Sequence, residues 1–247
     1  MGVARRALAG AQTALGLLTV IPVRARAEID GIGASAAWFP LVGGLVGLAA
    51  GGVRLAADHP LGSGVAGILA VITLVALTGA LHQDGLADCA DALGVRGGRD
   101  RRLEVMRDST VGAYGVLSLI LWALLLAAVL AALPRQDAIR TVVVAGALGR
   151  WATVLHAAAL PPARRDGLGA AFSPAPTAAV IATGLAVATV ALAPLPDLTA
   201  LAVAVTVMAA VSALARRGLG GRTGDTLGAT VALTEVAVCL VLLGFAR

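Results

Sequence analysis

The chain has 247 residues, 59% of them hydrophobic and only 13% charged, with a mean hydropathy of +0.92. A soluble domain carries about a quarter charged residues, so the composition excludes a soluble enzyme or binding module. It predicts an all-α, polytopic integral membrane helix bundle, read as a single membrane-embedded domain over 1–247. The net charge of +5 comes entirely from Arg, with no Lys. In so apolar a chain these residues read as loop-borne orientation signals, not as a nucleic-acid footprint. Cys89 and Cys239 lie far apart without metal-ligand spacing, which argues against a disulfide framework.

In chain order, Arg5-Arg6 and the apolar run Ala7–Ile21 open like a signal peptide, but Pro22-Val23-Arg24-Ala25-Arg26 offers no small-residue cleavage site. The run is short for a span, which needs about 20 residues. It is read as an amphipathic or half-inserted helix that stays with the protein. Seven spans follow: Ala34–Ala57, Val65–Leu81, Gly112–Leu133, Ile139–Leu160, Thr177–Leu195, Leu198–Leu214 and Leu227–Phe245. Gly43, Gly47 and Gly51 recur every four residues in the first, which lets another helix approach closely.

Arg is distributed unevenly between the spans. The segments Met1–Gly33, His82–Val111, Pro161–Pro176 and Ala215–Thr226 hold four, five, two and three Arg. The opposite connections hold Arg135 and Arg247, with Arg140 at a helix start. The positive-inside rule places the first set in the cytoplasm. Every loop with composition suited to chemistry falls on that side, at a bacterial cytoplasmic membrane.

The stretch His82-Gln83-Asp84-Gly85-Leu86-Ala87-Asp88-Cys89-Ala90-Asp91 carries acids at spacings of four and three. On a helix these share one face. Their mutual repulsion is relieved by a divalent cation, and carboxylate oxygens are the ligands magnesium prefers. Asp84, Asp88 and Asp91 are thus candidate Mg2+ ligands, and Asp108 joins them from the membrane boundary. Arg107 beside it is a candidate phosphate fork, with Ser109 as neighbour. Arg164 and Arg165 lie in the next cytoplasmic loop, where Arg164 is a candidate anion contact. The run Gly218–Gly228 reads as a phosphate cradle ahead of a helix N-terminus, with Arg222 as charge partner. Asp225 in it is either an N-cap or functional, and Thr223 or Thr226 caps equally well. Arg150 and Glu235 sit at similar depth in their spans, where charges pair or line a cavity. An ion pair and a substrate contact by Arg150 are both open. His82 is a candidate base or phosphate donor.

The stretch from His82 to Gly94 resembles the signature of the cobalamin synthase family, the adenosylcobinamide-GDP ribazoletransferases. Arg102–Ser109 followed by Gly112-Ala113-Tyr114-Gly115 resembles that family's next block, and Leu219–Ala229 its late block. Leu18–Val23, Trp38–Gly43 and Ala163–Gly169 are similar to its beginning and middle. The ordered set covers nearly the whole chain. Gln83, Cys89, Ala92 and Arg107 depart from the usual residues, and none of these removes a carboxylate. The resemblance implies a magnesium-dependent transfer in which a ribose hydroxyl of α-ribazole, or of its 5′-phosphate, attacks adenosylcobinamide-GDP and GMP leaves. It implies Asp84, Asp88 and Asp91 as metal ligands, with Asp108 or Asp225 completing the shell. Arg107, Arg164 and Arg222 would steady the phosphates, and His82 or an acid such as Asp225 would take the proton. The lipid bilayer is the expected surrounding, and a homo-oligomer is left open.

Two other classes fit less well. CDP-alcohol phosphotransferases and polyprenyl transferases also use membrane-face aspartates and magnesium, but their acidic patterns are absent here. An ion-coupled transporter predicts inverted repeats and midplane charges on broken helices. The acids here cluster instead at one boundary.

Overall fold

A computed structural model of the protein describes residues 3–23, 29–191 and 197–246. Arg24, Arg26, the end of the expected fifth span at 192–195, the connection at Pro196 and the terminal Arg247 lie outside the described residues. The ordered elements are helical: α1 (Val3–Leu18), α2 (Ile29–Ser35), a 3-10 turn (Ala36–Trp38), α3 (Phe39–Thr78), α4 (Leu81–Gly94), α5 (Arg99–Val105) and α6 (Ala113–Ala132). They continue with α7 (Ala138–Ala159), α8 (Leu168–Ala171), α9 (Pro176–Ala191), α10 (Asp197–Leu219) and α11 (Gly224–Phe245). Five helices, those containing α3, α6, α7, α10 and α11, are long and apolar enough to cross a membrane, and α9 is a shorter apolar helix. The chain is a polytopic membrane helix bundle.

The first two expected spans are the two arms of α3. Gly62 breaks the helical path with φ 79° and ψ 158°, two residues after Pro60. Phe39 at the start of α3 and Leu81–His82 just past its end line one crevice, so the chain doubles back at this break. The first arm lies on α7 through its glycines. A Cβ on Gly47 would stand 2.3 Å from the Val142 carbonyl oxygen, and one on Gly51 would stand 2.8 Å from Ile139 Cα. The second arm meets α6 at Gly67, where a Cβ would stand 2.7 Å from the Ala127 oxygen.

Arg54, inside the first arm and 1% exposed, was not singled out by the sequence reading. It donates from Nε to the Leu130 oxygen at 2.7 Å and from Nη2 to Ala131 and Leu133 oxygens at the end of α6. Those carbonyls have no helical partner, and Asp58 balances the charge.

α7 and α11 form the buried centre, whereas α6 and α10 turn most of their apolar surface outward. The second span does not run straight on into the acidic stretch that follows it in sequence. Gly79 and Ala80 both take left-handed conformations, φ 60° and 58°, so α4 starts afresh on a new axis against α11 and α6. α10 continues past Leu214, which places Arg216 and Arg217 in its last turn instead of a loop. α11 starts a turn early, which brings Asp225 into its first turn. The N-terminal helix α1 packs on α2 and α3, and Val20 N–H donates to the Leu77 oxygen at 2.9 Å.

Candidate active site

The loops around residues 95–112, 160–175 and 216–224 meet at one end of the bundle. Ala163 N–H donates to the Arg222 oxygen at 2.8 Å, and Arg222 N–H donates to the Pro161 oxygen at 2.9 Å. Gly221 permits this approach, since a Cβ there would stand 2.4 Å from the Pro161 oxygen. Arg99 bridges all three loops by donating from Nε to the Leu219 oxygen at 2.8 Å and from Nη2 to the Ala163 oxygen. Nothing in the residue pattern distinguishes Arg99 from Arg96, Arg101, Arg102 and Arg107.

Arg222 corrects an expectation. It is 3% exposed, and its guanidinium donates to Gly169 and Phe172 oxygens at 3.1 and 2.9 Å, to Ser173 Oγ at 2.9 Å, and to the Leu160 oxygen. With those N–H groups committed to the loop, it has no fork to offer a phosphate; it holds the loop 160–173 against the start of α11.

At that start Thr223 is the cap. Its side chain accepts from Thr226 N–H at 3.1 Å, and Thr226 Oγ1 accepts in return from Thr223 N–H at 2.9 Å, a reciprocal capping box. Asp225 is therefore not needed for capping. Its Oδ2 accepts from Arg164 Nη2 at 3.2 Å. α4 lies directly on this turn because Gly85 has no side chain; a Cβ there would stand 2.6 Å from the Asp225 oxygen. Asp84 and Asp88, one helical turn apart, lie within about 40° of each other around α4 and to the same side of Gly85. The Asp88 carboxyl is pushed up to about 7, first by burial and then by Asp225, Asp84 and Asp91, with Arg164 opposing. Among the described residues neither Asp84 nor Asp88 receives a hydrogen bond or an ion pair.

The other acids are used differently. Asp91 leaves the expected triad: Oδ2 accepts from Gly112 N–H at 2.7 Å and Oδ1 from Gly115 N–H at 2.8 Å, so it caps α6 from a neighbouring helix. The same contacts explain the two glycines, since a Cβ on either would stand within 2.5 Å of an Asp91 oxygen. Asp108 accepts from Thr110 N–H and Oγ1 at 2.9 and 2.7 Å, which holds its carboxyl below the ordinary value. Arg107 pairs with Asp166 of the second loop at 2.8 Å, both exposed, and Ser109 is exposed beside it. Among the described residues no three His, Cys, Asp or Glu side chains converge closely enough to share an ion.

Arg150 and Glu235 form a buried ion pair, with side chains 1% and 4% exposed. Of the two readings left open, the structure takes the pair, and Arg150 does not reach the surface as a substrate contact. His82 is also enclosed, 3% exposed, with Nε2 lacking a partner. Burial, together with Arg150, holds it well below its ordinary pKa and therefore neutral. It lies about 200° and 240° around the helix from Asp84 and Asp88, on the opposite side of α4. A role as base beside those acids does not fit that placement.

The end of the bundle thus presents a face with three crowded acids, Asp84, Asp88 and Asp225, and the nearby cations Arg164 and Arg107. Comparison with known proteins identifies the family. A profile of the family described as cobalamin-5-phosphate synthase matches residues 10–243. An adenosylcobinamide-GDP ribazoletransferase of Azorhizobium caulinodans is 42% identical over 98% of this chain and 98% of its own. Proteins of the same name from Bradyrhizobium diazoefficiens and Klebsiella pneumoniae are each 38% identical, over 98% and 93% of this chain and 95% and 97% of their own. No solved structure matches. On the profile and these relatives together, the chain belongs to the cobalamin-5-phosphate synthase family and is a transferase of cobalamin biosynthesis.

Proposed function

We propose that the chain joins adenosylcobinamide-GDP to α-ribazole or its 5′-phosphate, as the names of its relatives say of them. In this reading a ribose hydroxyl forms a P–O bond to the phosphorus next to cobinamide, and the P–O bond to the GMP moiety breaks. GMP leaves with the electron pair, and the hydroxyl proton passes to an acid of the site. The observation that carries the reading is the gathering of Asp84, Asp88 and Asp225 at one end of the bundle with Arg164 opposing them; burial first, and then the neighbouring acids, push Asp88 up to about 7.

That donor set fits Mg2+: the carboxylates are hard oxygen ligands, and those of Asp84 and Asp88 are not consumed by protein donors. We assign Asp84 and Asp88 to hold it. Bound there, the ion supplies charge neutralisation on the diphosphate oxygens. Asp225, poised against Arg164 at 3.2 Å, is our choice for the proton acceptor. Arg164 and Arg107, which share Asp166 as a partner, are assigned to the phosphates, with Ser109 next in sequence to Asp108. Asp91 and Asp108 keep the carboxylate chemistry expected of ligands, but their hydrogen bonds support a role in shaping α6 and the 108–110 turn.

We further infer a bacterial inner membrane with this face in the cytoplasm. The support is the Arg excess in these three loops and their meeting at one end of the bundle. The test is purified protein supplied with adenosylcobinamide-GDP and α-ribazole, with and without Mg2+. GMP release that requires both substrates and the metal is expected. Equal release after complete chelation would refute the metal assignment, and none under any condition would refute the reaction.

A further inference from the structure

α6 and α10 pack on α11 from two sides and leave an apolar groove between them. An outer chamber of about 540 Å3 and an inner one of about 210 Å3 share Leu86, Val211, Leu214 and Leu233, so they adjoin along one groove. Its mouth is rimmed by outward-facing Leu121 and Leu214 on two helices long and apolar enough to cross a membrane. Its inner end stops at Leu86 and Cys89, the buried side of α4. Leu86 lies about 200° around α4 from both Asp84 and Asp88.

The inner end also has a charge. The guanidinium of Arg102 stands beside Gly218 and Leu93, its Nη1 being 3.1 Å from where a Cβ on Gly218 would be. Leu93 lines the inner chamber. Arg102 Nε is buried without an acceptor, and the side chain makes no hydrogen bond or ion pair among the described residues. An apolar slot that opens to the side and ends at an unneutralised guanidinium group matches a molecule with a hydrocarbon tail and an anionic head.

We propose that this groove binds one acyl chain of an anionic phospholipid, whose phosphate sits on Arg102. The tail then packs behind α4 and braces the helix that carries Asp84 and Asp88. The occupant is a bilayer lipid and not free phosphate, because the groove contributes only apolar contact along its length and the charge lies at one end. The inference does not depend on the reaction assigned above, since its test reads lipid binding.

Trp122 lines the outer chamber and serves as reporter. The purified full chain in detergent is titrated with phosphatidylglycerol or phosphatidylcholine carrying brominated acyl chains, and the quenching that Trp122→Phe abolishes is followed. Half-quenching is expected at about fivefold lower mole fraction of phosphatidylglycerol, the factor one basic group contributes toward an anionic headgroup. Arg102→Gln should bring the two lipids level. Ala210→Phe, which fills the outer chamber from a membrane-facing position, should weaken quenching by both. Equal half-points in the native chain, or quenching untouched by Ala210→Phe, would overturn the proposal. So would loss of the phosphatidylglycerol preference in millimolar inorganic phosphate, or absence of Trp122 quenching in a chain that sediments as a dimer through this face.

Discussion

At Asp88, burial and three neighbouring acids act in the same direction, and only Arg164 opposes them. The folded-state value of about 7 lies above the ordinary carboxylate value near 4. The sign follows: the penalty for ionising Asp88 is absent below pH about 4, grows as pH rises and is complete above about 7. Asp88→Asn should therefore raise the thermal midpoint of the metal-free protein at pH 8 by about 2–4 °C, allowing for its half-exposed position. It should change little at pH 4, and calorimetry at the two values checks this. Mg2+ affinity in the native chain should fall as pH drops through 7, because protons compete for the same carboxylate. Asp84 and Asp88 are legible together because helical spacing is a local signal, and Asp225 is legible as a separate candidate in a glycine-rich helix start. Arg222 was not. Its four acceptors lie about 50 to 60 residues away in sequence, and residue type alone cannot tell a guanidinium that faces a ligand from one that holds a loop. Arg222→Lys keeps the charge but loses the fork geometry. It should cost about 2–4 kcal/mol of stability, read as a lowered midpoint in detergent.

At the level of elements, α4 is fixed at both ends by features with measurable cost. Ala80 at its start is the one positive-φ residue other than glycine among the described residues, a conformation that disfavours a side chain by about 1 kcal/mol. Ala80→Gly should stabilise by about 0.5–1 kcal/mol; a destabilised variant would show that the left-handed turn is not under strain. Asp91 ties the far end of α4 to the first turn of α6. Asp91→Ala leaves the Gly112 and Gly115 N–H groups without their acceptor and should cost about 1–2 kcal/mol. Gly115→Ala should be at least as damaging, because its Cβ would fall 2.3 Å from Asp91 Oδ2. The helices themselves were largely visible as apolar runs, since hydropathy reports burial or lipid contact wherever it occurs. Their boundaries were less visible. The end of α10 and the start of α11 depend on local capping by Thr223 and Thr226, and the turn at Gly79–Ala80 has no signature beyond one glycine. Asp91 was grouped correctly by face, but the N–H groups that claim it come from a helix more than 20 residues later in the chain.

For the whole molecule, three loops far apart in sequence become one surface, and three charged groups mark the opposite end. Asp58 pairs there with Arg54 and with Arg135, the latter at 3.2 Å. The cytoplasmic reading therefore makes a topological prediction. In a cysteine-free background, cysteines at Arg96, Arg165 and Asp166 should all label from the inner face of the membrane. A cysteine at Arg135 should label from the outer face. Labelling of Arg165 and Arg135 from the same side would break the assignment. The Arg count groups these loops on one side because it sums over segments and needs no contacts, and the labelling pattern tests that grouping. It could not anticipate which arginines were structural, and Arg99, Arg54 and Arg222 all proved to be.

The central claim is that Asp84 and Asp88 hold a divalent cation where a diphosphate is split. The most direct measurement is GMP release from adenosylcobinamide-GDP and α-ribazole by Asp84→Asn and Asp88→Asn, each purified from membranes and shown by its melting transition to be folded. A loss of about a hundredfold or more in both, with no recovery at high Mg2+, is the predicted result. Native turnover by either folded variant would contradict it.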